Sequence, residues 1–175
     1  MYKAPMASSP VPELLARARK AQKAYEACSQ AQVDDVVAAI AWVVLEPGRN
    51  RHLSERAVED TGLGDVDDKF TKNYRKTLGL LRDLSGAKSV GVIARDSERN
   101  IIEIARPVGV VGAITPSTNP VATPTNKVMN ALKGRNAIIL APSPRGEAVC
   151  EELVGLFREA LADRKSTRLN SSHLV

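Results

Sequence analysis

The chain has 175 residues, of which 43% are hydrophobic and 26% are charged. This composition fits one folded domain, or part of a larger one, and excludes a disordered segment. Aromatic residues make up only 3%, which argues against binding of single-stranded nucleic acid by base stacking. Two distant cysteines and two histidines form neither a disulfide framework nor a zinc-ligand set, so we predict a reduced, cytoplasmic chain with no metal. No apolar run has the ~20 residues of a membrane span, and residues 1–12 lack the apolar region of a signal peptide.

The net charge of +5 depends partly on the end of the sequence. Residues 163–173 can be back-translated into a string that resembles a common sequencing adapter, so we expect residues 163–175 to be an artefact. The natural reading frame is then expected to continue after Ala162. Residues 1–162 hold 22 basic and 19 acidic side chains, a net charge of +3. With so small an excess, we expect no nucleic-acid partner.

Helical patterns fill the first half of the chain, which we treat as an N-terminal helical segment over residues 1–88. Apolar spacing predicts helices over 13–31, 36–45, 50–58 and 67–84. The second is apolar almost all round, so we expect it to be buried. In the fourth, one face is expected to carry Phe70, Tyr74, Leu78, Leu81 and Leu84.

Strand patterns begin near residue 89. Segments 90–94 and 101–105 flank a polar turn and predict a β-hairpin within residues 89–106. Apolar runs over 107–115 and 137–141 predict parallel strands buried on both faces. Helices are predicted over 119–134 and 146–162. The predicted fold class is α/β: helices and a hairpin, then the beginning of a doubly wound parallel, Rossmann-like unit over residues 107–162.

Two loops carry the candidate chemistry. The first follows the strand that ends at Thr115 and reads Pro116-Ser117-Thr118-Asn119-Pro120. The second, which includes Ala141-Pro142-Ser143-Pro144, ends the next strand. Ligands of open α/β sheets bind beyond the carboxyl ends of the strands, where hydroxyl, amide and helix-terminal N–H groups can hold a phosphate or an oxyanion. Spacing alone leaves open an ordinary strand-to-helix connection. The G-x-G-x-x-G fingerprint is absent, because Gly109 and Gly112 lie within the strand.

Residues 107–120 and 131–144 together resemble the aldehyde dehydrogenase superfamily and, more narrowly, its CoA-acylating branch. That branch includes acetaldehyde, propionaldehyde and sulfoacetaldehyde dehydrogenases. The resemblance implies oxidation of a short aldehyde to acyl-CoA with NAD, or NADP, and CoA, through a cysteine thioester. It also implies that the nucleophilic cysteine lies downstream of Ala162, that this chain is an N-terminal fragment without activity, and that the parent enzyme is a homo-oligomer whose oligomerisation strands include the hairpin.

The resemblance assigns site residues position by position. The loop that borders the nicotinamide and the reacting centre corresponds to Ile114, Thr115, Pro116, Ser117, Thr118 and Asn119. Asn119 is the candidate oxyanion donor, although a gapless alignment puts Thr118 at the place of the family's asparagine. The segment that borders the adenosine ribose corresponds to Ala141, Pro142, Ser143 and Pro144. Ala141 replaces the lysine of hydrolytic relatives, which supports the acylating branch. Ser143 replaces the histidine of many acylating members, which suggests a sulfoacetaldehyde-like subgroup.

The other reactive side chains are predicted to have ordinary structural or surface positions and no catalytic role. Cys150 lies in a predicted amphipathic helix and is expected to be a buried structural thiol. Cys28 is expected in a partly exposed helix, and His52 on the solvated surface. An alternative to the enzyme is a small free-standing nucleotide-binding or interaction module without catalysis.

Overall fold

The computed structural model describes residues 10–163. The adapter-like segment therefore lies outside the described residues, except for Asp163. The N-terminal segment contains helices α1 (Val11–Tyr25), α2 (Gln30–Leu45), α3 (Pro47–Thr61) and α4 (Val66–Leu84). Strands β1 (Gly91–Asp96), β2 (Ile101–Ala105) and β3 (Val110–Thr115) follow, then helix α5 (Ala122–Lys133), strand β4 (Ala137–Pro142), a 3₁₀ turn (Pro144–Gly146) and helix α6 (Glu147–Asp163). The predicted α/β fold class and the order of its elements are confirmed.

Helix α2 lies at the centre of the core. Val33, Ile40 and Val44 are fully buried, and the helix packs on α3, α4, α5 and α6. The predicted burial of this helix is therefore confirmed, although it begins at Gln30 and not near residue 36. Ser29 starts it through a capping box with Gln32, in which each side chain binds the other residue's backbone N–H. The predicted first helix correspondingly ends at Tyr25, and Cys28 lies buried in the intervening turn instead of in a partly exposed helix.

Helix α4 buries some polar side chains and leaves part of its predicted apolar face exposed. Tyr74 and Leu78 are 42% and 41% exposed, whereas Asn73 and Thr77 are buried. Asn73 Nδ2 donates hydrogen bonds to Asn50 Oδ1 (3.1 Å) and Ser54 Oγ (3.2 Å) of α3. Because these groups satisfy one another, a polar contact joins α3 to α4 at little desolvation cost.

The strands form two separate two-stranded sheets within the described residues. β1 and β2 make the predicted antiparallel hairpin, with Val92 opposite Ile104. β3 and β4 are parallel, from Val110 opposite Ala137 to Thr115 opposite Pro142. This β3-α5-β4-α6 succession confirms the predicted parallel unit.

The prediction that β3 is buried on both faces is wrong for the described residues. Ala113 and Thr115 face the core, whereas Ile114 is 81% exposed. Adjacent side chains of a strand point to opposite faces, and only one face of this sheet is fully covered at its carboxyl end. Apolar residues occupy both faces of β3, but the described residues cover only one face of this strand.

Candidate functional site

The two predicted loops lie side by side at one edge of the β3–β4 sheet. Thr115 and Pro142 are register partners, and Ser143 N donates a hydrogen bond to Thr115 O at 3.0 Å. Since β3 and β4 are parallel, both chains leave the sheet at their carboxyl ends. The two loops therefore lie close together.

A glycine allows the two connections to touch. A Cβ atom placed on Gly146 would lie 2.9 Å from Pro120 Cβ and 3.9 Å from Ser117 Cα. Carbon atoms do not approach to 2.9 Å without repulsion, so any other residue here would push the connections apart. Gly146 is buried, as is Pro120. The contact therefore fixes the distance between the first loop and the 3₁₀ turn.

Lys69 supports the first loop from helix α4. Its ammonium group donates a hydrogen bond to Thr118 O at 3.2 Å, and the residue is only 6% exposed. Burial lowers the pKa of Lys69, and the nearby positive charge of Lys72 lowers it further. Nothing in the sequence singles out Lys69, since a lysine in a polar helical segment carries no local signal of burial.

Asn119 stands where the loop becomes a helix. Its backbone oxygen accepts the N–H of Thr123 at 3.2 Å, which starts the helical turn that leads into α5. Its side-chain amide Nδ2 donates to Thr118 Oγ1 at 3.4 Å, and the residue is half-buried. A long contact of this kind leaves the amide able to turn toward another acceptor.

The remaining predicted cofactor residues form a mixed surface along this edge. Ile114 and Ala141 are register partners on the uncovered face, and both are exposed. Pro116, Thr118 and Pro144 are exposed, Ser117, Pro142 and Ser143 are half-buried, and only Thr115 is buried. Two exposed apolar side chains beside the hydroxyl groups of Ser117, Thr118 and Ser143 suit a ring-and-ribose ligand, so the residues fit a nicotinamide cofactor. Thr115 is the exception, because its buried side chain faces the core.

Neither cysteine has the surroundings of a nucleophile. Burial raises the pKa of the Cys150 thiol to about 11, and it also raises the pKa of the buried Cys28. At neutral pH both side chains are therefore thiols, whereas the thiolate is the nucleophilic form. Cys150 is buried as expected in α6. His52 is half-exposed as expected, and its Nε2 lies 2.5 Å from Glu152 Oε1.

Two classes of feature are absent from the described range. Among residues 10–163 no three His, Cys, Asp or Glu side chains converge in a metal-binding arrangement. No helix in the same range combines the length and the apolar character that crossing a membrane requires.

Residues 4–168 match the sequence profile described as the aldehyde dehydrogenase family. The chain belongs to the aldehyde dehydrogenase family. An acylating sulfoacetaldehyde dehydrogenase of Cupriavidus necator is 60% identical over 156 residues, covering 89% of this chain and 32% of that protein. The predicted family and its acylating branch are thus confirmed through the relatives.

Solved structures of family members share the fold. An acetylating aldehyde dehydrogenase of Geobacillus thermoglucosidasius matches with a TM-score of 0.85 and 35% identity, covering 93% of this chain and 35% of that one. A propionaldehyde dehydrogenase of Rhodopseudomonas palustris, solved with bound CoA and an acylated cysteine, matches with a TM-score of 0.78 and 29% identity over 94% of this chain and 36% of that one. This chain thus spans about a third of the length of the aldehyde dehydrogenases it matches.

Proposed function

We propose that this chain contributes the first part of the nicotinamide-cofactor-binding domain of a CoA-acylating aldehyde dehydrogenase. The overall reaction would convert an aldehyde, CoA and NAD(P)⁺ to acyl-CoA, NAD(P)H and a proton. The observation that carries the proposal is the pairing of two polar loops at the carboxyl edge of β3 and β4, in a chain of this family. The similarity to an acylating sulfoacetaldehyde dehydrogenase supports a short aldehyde as substrate.

In this proposal, the exposed edge holds the cofactor. Ile114 and Ala141 would offer apolar contact to a flat ring, and the hydroxyl groups of Ser117 and Ser143 would bind polar groups beside it. The nicotinamide, when bound, supplies the hydride acceptor. Lys69 and Gly146 would keep the first loop in place, because one binds its backbone oxygen and the other permits its contact with the 3₁₀ turn.

Asn119 is the proposed hydrogen-bond donor to the oxygen that gains negative charge when the aldehyde carbon is attacked. An amide N–H is neutral and costs little to keep half-buried. It binds the oxyanion more strongly than it binds the carbonyl oxygen of the unreacted aldehyde. Removal of one such donor in an enzyme typically lowers kcat by about 10² to 10³-fold. Thr118, exposed beside it, is the alternative donor.

The nucleophile would be a cysteine outside this sequence, since Cys28 and Cys150 are buried thiols. We therefore propose that the 175-residue chain alone does not oxidise aldehydes. The hairpin β1–β2 would serve as part of a homo-oligomer interface, since its apolar side chains Ile102 and Ile104 are about half exposed. A cytoplasmic location completes the proposal.

A chimeric enzyme tests the function. Residues 10–162 would replace the matching third of the Cupriavidus necator sulfoacetaldehyde dehydrogenase. The 60% identity between the two sequences supports correct packing of the exchanged part. NADH formation would be followed with and without CoA, for sulfoacetaldehyde and for acetaldehyde. We expect CoA-dependent oxidation of at least one aldehyde, and a large loss of kcat in the N119A chimera with less change in KM.

The outcome against the proposal is a folded chimera that forms no NADH with either aldehyde. The 175-residue chain would be titrated with NAD⁺ in parallel. Tight binding by this chain, together with an inactive chimera, would instead favour the free-standing nucleotide-binding module.

A further inference from the structure

A polar groove separates helices α4 and α5 next to the first loop. Its cavity, of about 200 Å³, is lined by the polar side chains Lys76, Asn119, Thr123, Asn126, Lys127 and Asn130. Lys76 and Asn126 also border an adjoining cavity that contains Arg75 and Asp83. The two cavities together form one groove that begins at Asn119 and runs along both helices.

The polar side chains of α5 and of the turn before it form one stripe in this groove. Asn119, Thr123, Asn126 and Asn130 are spaced by four, three and four positions, which places them on the same side of a helix. The backbone bond from Thr123 N to Asn119 O shows that Asn119 lies in the turn that leads into α5. Thr123 therefore lies about one turn, roughly 5 to 6 Å along the helix, from the proposed oxyanion donor.

The part of the groove nearest Asn119 carries the positive charges of Lys76 and Lys127, whereas Asp83 lies in the adjoining cavity. Within the described residues, the ammonium groups of Lys76 and Lys127 make neither an ion pair nor a hydrogen bond, whereas Lys133 of α5 is paired with Asp34 at 2.5 Å. No carboxylate lines the cavity that holds Lys76 and Lys127. Asn126 Oδ1 is shielded from solvent and has no hydrogen-bond partner. Rotation of that amide by half a turn would present two N–H donors in its place.

We propose that this groove recognises an anionic group, a sulfonate or carboxylate, carried by the aldehyde substrate. This inference rests on the proposed function and narrows its substrate class. Lys76 and Lys127 would supply the charge, and Thr123 and Asn126 would supply hydrogen bonds, while the aldehyde carbon of a short chain lies near Asn119. Charge-assisted hydrogen bonds are the strongest that such a site can make.

Binding to the 175-residue chain is the direct test. The isotope-labelled chain would be titrated with isethionate, a two-carbon sulfonate with no aldehyde, and followed by NMR. We expect saturable shifts confined to residues of α4, α5 and the first loop. The K76Q/K127Q double variant should bind about tenfold or more weakly, as expected for the loss of charged hydrogen bonds. K20Q, which removes the same charge from the exposed surface of α1, is the matched control and should bind as the parent chain does.

Three results would overturn the inference. The first is the absence of saturable shifts with isethionate, and the second is equal weakening of binding by K20Q. The third is a groove that responds to ADP but not to isethionate, since that would identify a site for the phosphates of a nucleotide or CoA.

The chimeric enzyme separates this inference from the proposed function. In an active chimera, K76Q/K127Q should lower the ratio of kcat/KM for sulfoacetaldehyde to that for acetaldehyde by about tenfold or more, and K20Q should leave the ratio unchanged. An unchanged ratio in K76Q/K127Q would refute the anion groove and leave the enzyme proposal intact. An inactive chimera would refute the enzyme proposal, while the isethionate titration would still decide whether the groove binds the anion.

Discussion

At the residue scale, two contacts between distant residues set the geometry of the candidate site. Gly146 packs against Pro120, and the ammonium group of Lys69 reaches the Thr118 carbonyl oxygen. Both contacts join elements that are distant in the sequence, so neither follows from local patterns. The loops themselves were predictable, because ligands of open sheets bind beyond the carboxyl ends of the strands and both loops follow such ends.

Substitution of Gly146 by valine tests the contact between the loop and the 3₁₀ turn. The added side chain would meet Pro120, and overpacking of this kind typically costs about 1 to 3 kcal/mol. We expect the denaturation midpoint in urea to fall accordingly. Gly155→Ala in α6 is the control, because nothing lies within 4 Å of a Cβ at that position, and it should keep or raise the midpoint. Equal midpoints in G146V and the parent chain would show that the loops are not in contact.

The Cys150 thiol predicts a pH dependence of stability. Its pKa of about 11 in the folded chain lies above the ordinary value of 9.0. The folded state thus holds the proton more tightly than the unfolded state. The contribution of Cys150 to stability is fully present below pH 9 and is lost as pH rises toward 11.

The difference in unfolding free energy between the parent chain and C150A, measured in urea at several pH values, checks this. We expect the difference to be constant at neutral pH and to shrink through the alkaline window. Other groups that titrate at alkaline pH, such as Lys69, are present in both proteins, so their contributions cancel in this difference. A difference that grows with pH would contradict the burial of this thiol.

At the scale of elements, polar packing decides how α3 and α4 meet. Asn50, Ser54 and Asn73 satisfy one another in a buried cluster, while Tyr74 and Leu78 lie at the surface. Apolar spacing correctly predicted a helix here, because the repeat of α4 is close to 3.6 residues. The same spacing did not reveal which side faces the core, because buried asparagines satisfied by hydrogen bonds are invisible to a hydrophobicity pattern.

Asn73→Ala should destabilise the chain by about 1 to 3 kcal/mol, because it leaves Asn50 Oδ1 and Ser54 Oγ short of a donor in the interior. Thermal or urea unfolding would measure the change. Lys72→Ala, at the adjacent exposed position, should stay within about 0.5 kcal/mol. A small effect of N73A would mean that water replaces the lost amide and that solvent reaches the cluster.

At the scale of the whole molecule, the two small sheets leave apolar side chains uncovered within the described residues. Ile114 of β3 is largely uncovered, and the hairpin strands pack mainly on each other. Exposed strands with apolar side chains favour association with further strands. The described fold is a helical core joined to two small sheets with uncovered apolar side chains.

We therefore expect the chain to associate as its concentration rises. Ile102→Lys with Ile104→Lys should shift the population toward monomer in light scattering after gel filtration, because both side chains are exposed on β2. Circular dichroism should be nearly unchanged, since little else packs on the hairpin. Glu103→Lys is the control on the same strand. If association is unaffected by the double variant, the hairpin is not the contact surface.

The sequence by itself determined the class and order of the elements and the position of both site loops. Periodicity of apolar residues and the Gly, Pro and Asn turns are local signals, and they suffice for α2, the hairpin and the parallel strands. The resemblance around residues 107–144 also identified the family, which the comparisons confirm. The assignment of individual cofactor residues stays a prediction.

Only the tertiary structure decided which surfaces are buried and which polar groups meet. It showed that Lys69 supports the loop, that Gly146 sets its distance from the 3₁₀ turn, and that Lys76 and Lys127 line one groove. It also showed that Ile114 is exposed on a strand whose sequence is apolar throughout. The physical reason is the same in each case: burial and charge pairing depend on contacts between elements far apart in the chain, and no local pattern encodes them.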